Sequence, residues 1–297
     1  MHKALKGKQK TFMAMMGLNS GEFNRLLPYF HEAYRGSLVE EGKNADEKRG
    51  KPGQLALAED KLLFILYYLK TYPLQEVLAY SFGLTQSAAN SWVHRLSPVL
   101  QAALKQMGHR PARLPEELLA RLETEAVQAV GIDGTERRIQ RPLDPDVQED
   151  WYSGKKAHTV KNNLIAGLDD RDIKYLGKTR SGKVHDKRIA DEEQAQVPDG
   201  YEVYRDSGFQ GHQMGEGITL FEPKKKPRGG ELTREEKRRN QAISRTRVVV
   251  EHVISGVKRC RCVKDVFRNW KDGFDDLVME LACGLHNFRN ASRVRND

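Results

Sequence analysis

Cysteine is scarce. Cys260, Cys262 and Cys283 are the three in 297 residues. They cannot form a closed disulfide framework, and Cys260-Arg261-Cys262 has neither zinc spacing nor a second pair. The expectation is structural thiols in a reducing compartment. Long apolar runs are missing too. The longest, LLFILYYL from Leu62 to Leu69, is far short of the roughly 20 residues that cross a bilayer. The amino-terminal MHKALKGKQKTF is basic but has no apolar core of the kind a secretory signal needs. The chain therefore reads as soluble and intracellular. His158, His212, His252 and His286 are scattered without zinc spacing and read as ordinary polar residues, and no segment repeats. Glycine and proline are moderate, at 25 and 11, with 38% hydrophobic residues, which suits one sizeable core plus a smaller domain.

Positive charge is what the sequence has in excess. Its 50 Lys+Arg against 41 Asp+Glu give a net charge of +9, which suggests a polyanionic partner. The distribution says more than the total: between Lys224 and Arg247 stand ten basic residues and three glutamates. Such a run is usually a solvated segment.

From Leu55 to about Leu104 the apolar residues recur at helical spacing. Within this half, PLQEVLAYSFGLTQSAANSWVHRL predicts a helix from about Leu74 to Tyr80, a tight turn over Ser81-Phe82-Gly83-Leu84, and a second helix opened by Thr85 as N-cap. That is a helix-turn-helix layout, although a plain helical hairpin has the same outline. If Ala88, Trp92 and Leu96 pack inward, then Gln86, Ser87, Asn90, Ser91, His94 and Arg95 face outward, where such side chains hydrogen-bond phosphates or base edges. A polar stretch from His109 to Glu117 predicts a boundary between a helical domain, residues 1–110, and a second domain, residues 118–297.

Beyond that boundary the pattern turns to strands. They are expected over Val127–Thr135, His158–Leu168 and Ile173–Arg180, then, after a helix in VHDKRIADEEQ, over Tyr201–Asp206 and in GITLFEP. A long helix from about Thr233 to Lys258 and another from Phe274 to Ala291 close the chain. This order is that of an α/β, ribonuclease-H-like domain, a mixed sheet flanked by helices, following the all-α helix-turn-helix domain. In that fold the first and fourth strands are neighbours. Asp133, in VGIDGTERRIQRP, ends the first and Asp206, in YRDSGFQG, the fourth. Taken alone, Asp133 reads better as part of an Asp-Gly hairpin turn. Paired with Asp206 it becomes a metal-binding carboxylate, and Glu251 on the long helix is the candidate third acid. Two Mg2+ ions roughly 3.5 to 4 Å apart would support in-line phosphoryl transfer. Arg247, Glu251 and Lys258 share one helical face by spacing, with the cations placed to hold phosphates.

GIDGTE, SGKKAHTVKNN, GKVHDKR, DSGFQGH, EPKKKPRG and RTRVVVEHVISGVKR, in that order, resemble the insertion sequence 5 (IS5) family of DDE transposases, a group related to harbinger, over nearly the whole region from Val130 to Asn290. The resemblance implies Asp133, Asp206 and Glu251 as catalytic triad and metal ligands, two Mg2+ or Mn2+ ions, and double-stranded DNA as partner, both terminal inverted repeats and target. It implies a prokaryotic, cytoplasmic and nucleoid-associated protein acting as a homodimer or higher assembly. The family's late motif is Tyr, Arg, Glu, Lys. Arg247, Glu251 and Lys258 match, whereas Ser244 stands at the tyrosine position, a departure that bears on a DNA contact rather than on the metal ligands.

Around this frame lie further candidates. Lys155 and Lys156 meet phosphates if Trp151 and Tyr152 stack on DNA, unless Trp151 plugs the core edge. Lys224, Lys225, Lys226 and Arg228 fit a DNA-backbone role. Asp186, with His185 beside it, either approaches the metals or, the reading favoured by sequence, caps its helix. Two other functions stay open: a catalytically inactive, transposase-derived DNA-binding protein, and a metal-dependent nuclease without strand transfer.

Overall fold

The computed structural model describes residues 7–42, 54–154 and 156–294. The chain divides into two compact units, residues 1–110 with 258–265 and 269–297, and residues 111–257 with 266–268.

The first unit is helical: α1 (Gln9–Met16), α2 (Ser20–Glu40), α3 (Ala58–Thr71), α4 (Gln75–Phe82) and α5 (Gln86–Gln106) come from the amino-terminal half. Asn19 and Glu22 form a reciprocal capping box that starts α2, each side chain accepting from the other's backbone N–H at 2.8 and 2.7 Å. The run LLFILYYL fills α3, and Leu62, Leu63, Phe64, Ile65 and Leu66 are all buried because α3 packs against α1, α2 and α5. The expected turn is present. Gly83 closes α4 in the left-handed conformation, φ 66°, and the Thr85 hydroxyl caps α5 by accepting from Ala88 N–H at 3.3 Å. The inward stripe of α5 is one residue out of phase with the expected one. Ala89, Val93, Leu96 and Leu100 are buried, whereas Ala88 and Trp92 are half-exposed. The apolar amino-terminal residues Met16, Leu18, Phe23, Leu26 and Phe30 all lie in this core.

The carboxyl-terminal helices α10 (Arg261–Lys264) and α11 (Phe274–Val294) belong to this unit too, α11 packing on α5 and α10 on α3. This differs from the expected boundary, which places all residues after 118 in the second domain. Amphipathicity shows that a helix has a face to bury but does not name what covers it.

The second unit contains α6 (Pro115–Thr124), β1 (Ala129–Arg138), α7 (Pro145–Trp151), β2 (Tyr152–Ser153), β3 (Ala157–Gly167), β4 (Ile173–Leu176), β5 (Arg180–Ser181), α8 (Asp186–Glu193), β6 (Glu202–Arg205), β7 (Thr219–Phe221) and α9 (Arg234–Val257). Helix α6 lies partly inside the stretch read as a polar separator. Its signals are local: Pro115 in the first turn, Glu116 and Glu117 beside it, and Leu118 and Leu122 buried four residues apart. The sheet order is β2-β3-β1-β6-β7, with β4 and β5 also pairing β3, so the expected third strand is present in two pieces. β1 is antiparallel to β3 and parallel to β6, and β6 is parallel to β7. Val130, Ile132, Ile165 and Val203 in the sheet join Leu118, Leu122 and Phe209 in one buried core, each such aliphatic side chain stabilising by about 1.5–3 kcal/mol. Against β1 and β6 lies α9, through buried Ile243, Val250, Val253 and Val257. Val248, on the same helix, is 37% exposed.

Candidate functional site

The parallel pairing of β1 with β6 runs from Ala129 opposite Glu202 to Ile132 opposite Arg205. The next residue on each strand is an aspartate, so Asp133 and Asp206 leave the ladder side by side. Asp133 is no hairpin turn: with Gly134 it sits inside β1, still paired with β3 opposite Leu164. One oxygen of each carboxylate is tied to its own backbone. Asp133 Oδ1 accepts from Gly134 N–H at 2.8 Å, and Asp206 Oδ1 accepts from Gly208 N–H at 2.6 Å. The two Oδ2 atoms turn toward one cation, Arg247 Nη2, at 3.9 and 3.7 Å. Burial pushes the Asp133 carboxyl above its ordinary value; Asp206 and Asp186 push the same way, and Arg247 and the Gly134 N–H oppose them.

Helix α9 brings Arg247 here because Gly131 lets it come close. A Cβ at Gly131 would stand 2.3 Å from Val250 Cγ2. Glu251 lies one helical turn beyond Arg247 and is exposed. Among the described residues no three His, Cys, Asp or Glu side chains gather closely enough to hold a metal ion. The structure thus brings together two of the three expected acids. The pair suits a hard divalent cation: two carboxylate oxygens not engaged by backbone converge on a point beside a positive nitrogen.

Asp186 also reaches this neighbourhood. His185 occupies the N-cap position of α8 and makes no side-chain cap, and Asp186, the first helical residue, pairs with Lys161 at 3.1 Å. The capping reading therefore gives way to an ion pair. A Cβ at Gly134 would lie 2.9 Å from Asp186 Cγ, so the glycine after Asp133 is what admits this acid to β1. Beside it is a cavity of about 230 Å3 lined by Gly134, Glu136, Lys161, Lys183, His185 and Asp186, among others.

The loop carrying Asp206 is anchored by residues that sequence spacing does not reveal. Arg205, 3% exposed, donates to the His212 carbonyl at 2.5 Å and to Glu222 at 2.8 Å. The buried His212 ring meets Asp191 of α8 at 2.7 Å through Nδ1, and burial holds its pKa below the ordinary histidine value. Phe209 is buried below the turn. The one local signal is the alternation in YEVYRD, which turns Arg205 inward with Val203.

The expected DNA-contact residues divide. On α5, Gln86, Ser87 and Ser91 are exposed, and Asn90 is half-buried, accepting from Gln75 at 2.8 Å. His94 and Arg95 are not free on that face. The His94 ring meets Phe274 edge-on at 4.5 Å, its Nε2 lies 3.3 Å from Asn269 Nδ2, and burial lowers its pKa. Arg95 pairs with Glu41 at 2.9 Å and lies over Trp92 and Tyr34. The shifted stripe of α5 is the reason, since it turns this half of the helix toward its neighbours. Lys224 pairs with Glu236 and Lys226 with Glu231, so acids of the same region offset part of the basic run, while Lys225 and Arg228 are exposed. Lys156 is exposed in a turn at φ 56°. Tyr152 is exposed and Trp151 half-buried. Lys155 lies outside the described residues. Lys258 falls in a turn past the end of α9 rather than on its face.

Residues 132–287, just over half the chain, match the family described as DDE superfamily endonuclease, and residues 54–106 match the helix-turn-helix of DDE superfamily endonuclease. The chain belongs to this family. It is 29% identical over 304 aligned residues, 98% of this chain and 100% of the relative, to a probable transposase for insertion sequence element IS702 from Microchaete diplosiphon. It is 25% identical over 272 residues, 91% of each chain, to a putative transposase for insertion sequence element IS112 from Streptomyces albus G. No solved structure matches the chain at the level these relatives do. Among the described residues no helix is long and apolar enough to cross a membrane.

Proposed function

We propose that this protein is a transposase of the IS5 group, whose second unit is a ribonuclease-H-like domain cleaving and joining DNA ends by in-line phosphoryl transfer. The observation that carries this is the convergence of Asp133 Oδ2 and Asp206 Oδ2, from the ends of paired parallel strands, on one cation. The strand order, an antiparallel series around β1 and then two strands parallel to it, supports the ribonuclease-H-like reading. Two full-length relatives named as transposases support the reaction class.

DDE superfamily endonucleases generally use divalent metal ions. Mg2+ or Mn2+, when bound, supplies positive charge to the attacking and leaving oxygens at phosphorus. Asp133 and Asp206 would hold it, while the Gly134 and Gly208 N–H groups fix both carboxylates in orientation. Glu251, exposed on α9 one turn from Arg247 and not gathered with the pair in this structure, is the third acid this reading assigns. Lys225 and Arg228, with Lys156, Lys224 and Lys226, neutralise the DNA backbone. Exposed Gln86, Ser87 and Ser91 on α5 read the element's terminal inverted repeats.

The test places the purified protein with Mg2+ on labelled DNA carrying the sequences that flank its gene, beside an Asp206→Asn variant. Metal-dependent nicking at the element end, absent in the variant, is the expected result. Tight binding without cleavage by either protein would make it a DNA-binding relic instead.

A further inference from the structure

The contact between Arg247 and the two acids has an unusual geometry. Its Nη2 lies 3.9 Å from Asp133 Oδ2 and 3.7 Å from Asp206 Oδ2, beyond the 2.7–3.2 Å of a hydrogen bond yet within reach of charge attraction. The guanidinium is well sheltered, at 14% exposure, whereas Asp206 is 46% exposed. Both Oδ1 atoms are already engaged by backbone. Among the described residues, Arg247 is therefore held between the acids by charge alone, with no directional bond to them that its departure would break. An Arg that served to lock the carboxylates would instead grip them in a bidentate fork.

From this we propose that Arg247 is an internal counter-cation: it occupies the focus of the Asp133–Asp206 pair before a divalent ion arrives and yields that position to the ion. This rests on the reading of Asp133 and Asp206 as metal ligands. Two carboxylates brought to adjacent strand ends repel one another, and a positive group between them offsets that repulsion while the pair waits. The same group must then be displaced, so Arg247 stabilises the metal-free protein and weakens metal binding. Once displaced, its charge is available to a backbone phosphate on the same side of the sheet.

The experiment titrates Mn2+ into the full-length protein by calorimetry, without DNA, for wild type, Arg247→Ala, Arg247→Lys and Asp206→Asn, and records each melting temperature in chelator. Arg247→Ala is expected to bind Mn2+ about five- to tenfold more tightly, the effect of removing two partly screened ion pairs, and to melt lower without metal. Arg247→Lys, shorter and unable to reach both acids equally, should fall between, and it serves as the test if the alanine variant does not fold. Unchanged or weaker Mn2+ binding in both variants, beside a wild type whose binding Asp206→Asn abolishes, would overturn the counter-cation while leaving the metal site standing. Mn2+ binding that is insensitive to Asp206→Asn would overturn both together.

Discussion

The two faces of β1 use the same device for opposite ends. On one face Gly131 leaves room for a methyl group of Val250, which is 1% exposed. On the other, Gly134 leaves room for the carboxylate of Asp186, 37% exposed. The first contact is apolar, closed and set in a helix; the second is the end of a short polar side chain that can move. The apolar contact fixes the helix that carries Arg247, and the polar one adds an acid from the opposite face. Asp133 stands between the two glycines and depends on both, since Gly131 seats the helix that carries Arg247 and Gly134 admits the acid that adds to its charge.

The largest effect should come from the acids themselves. Asp133→Asn and Asp206→Asn are each expected to lower metal-dependent DNA cleavage by more than about a hundredfold, because outer partners of metal sites alone are worth 10–100-fold, while the melting temperature in chelator stays near that of the wild type. A steady-state nicking assay beside a thermal melt checks both halves. Next in size is Gly131→Ala, which forces a Cβ against Val250 and should destabilise by about 2 kcal/mol through overpacking. Adding Val250→Ala should recover most of that loss in a denaturant titration, since it removes the atom in conflict. No recovery would mean that the apolar face does not set the position of α9.

Smaller still is Gly134→Ala. Asp186 can swing aside, so stability should fall by less than about 1 kcal/mol, with a measurable change in metal affinity by calorimetry as the reading that sharpens the contrast between the faces. The last effect is one of pH. Asp133 has its pKa raised by burial above the ordinary 3.8, so between the ordinary and the raised value the folded protein holds a proton there that the unfolded chain has released. Stability from this group is full below the ordinary carboxylate value and declines as pH rises through the raised one. Asp133→Asn should flatten that part of the stability profile, measured by chemical denaturation across the acidic range in chelator.

Much of this was legible in the residues. The apolar run before Asp133, the strand ending in Asp206, and Gly83 followed by Thr85 carry local chemistry that needs no distant partner. Helix α6 was hidden by polar residues around a proline that in fact opens it. The half of α5 that holds His94 and Arg95 differs from expectation because a one-residue shift of the buried stripe turns those two side chains toward neighbouring elements. The approach of Asp186 to Gly134 and the grouping of α11 with the first unit depend on contacts between segments far apart in the chain, which no local pattern records. Glu251 is the reverse case: its spacing from Arg247 is suggestive, yet it is exposed and, among the described residues, makes no metal-holding group of three with the two aspartates.

The most direct test is a crystal structure grown in Mn2+, with anomalous data collected at the manganese edge. A peak within coordinating distance of both Asp133 Oδ2 and Asp206 Oδ2, with Arg247 withdrawn, is the result this account predicts. Manganese bound elsewhere, with Arg247 still between the two acids, would contradict it.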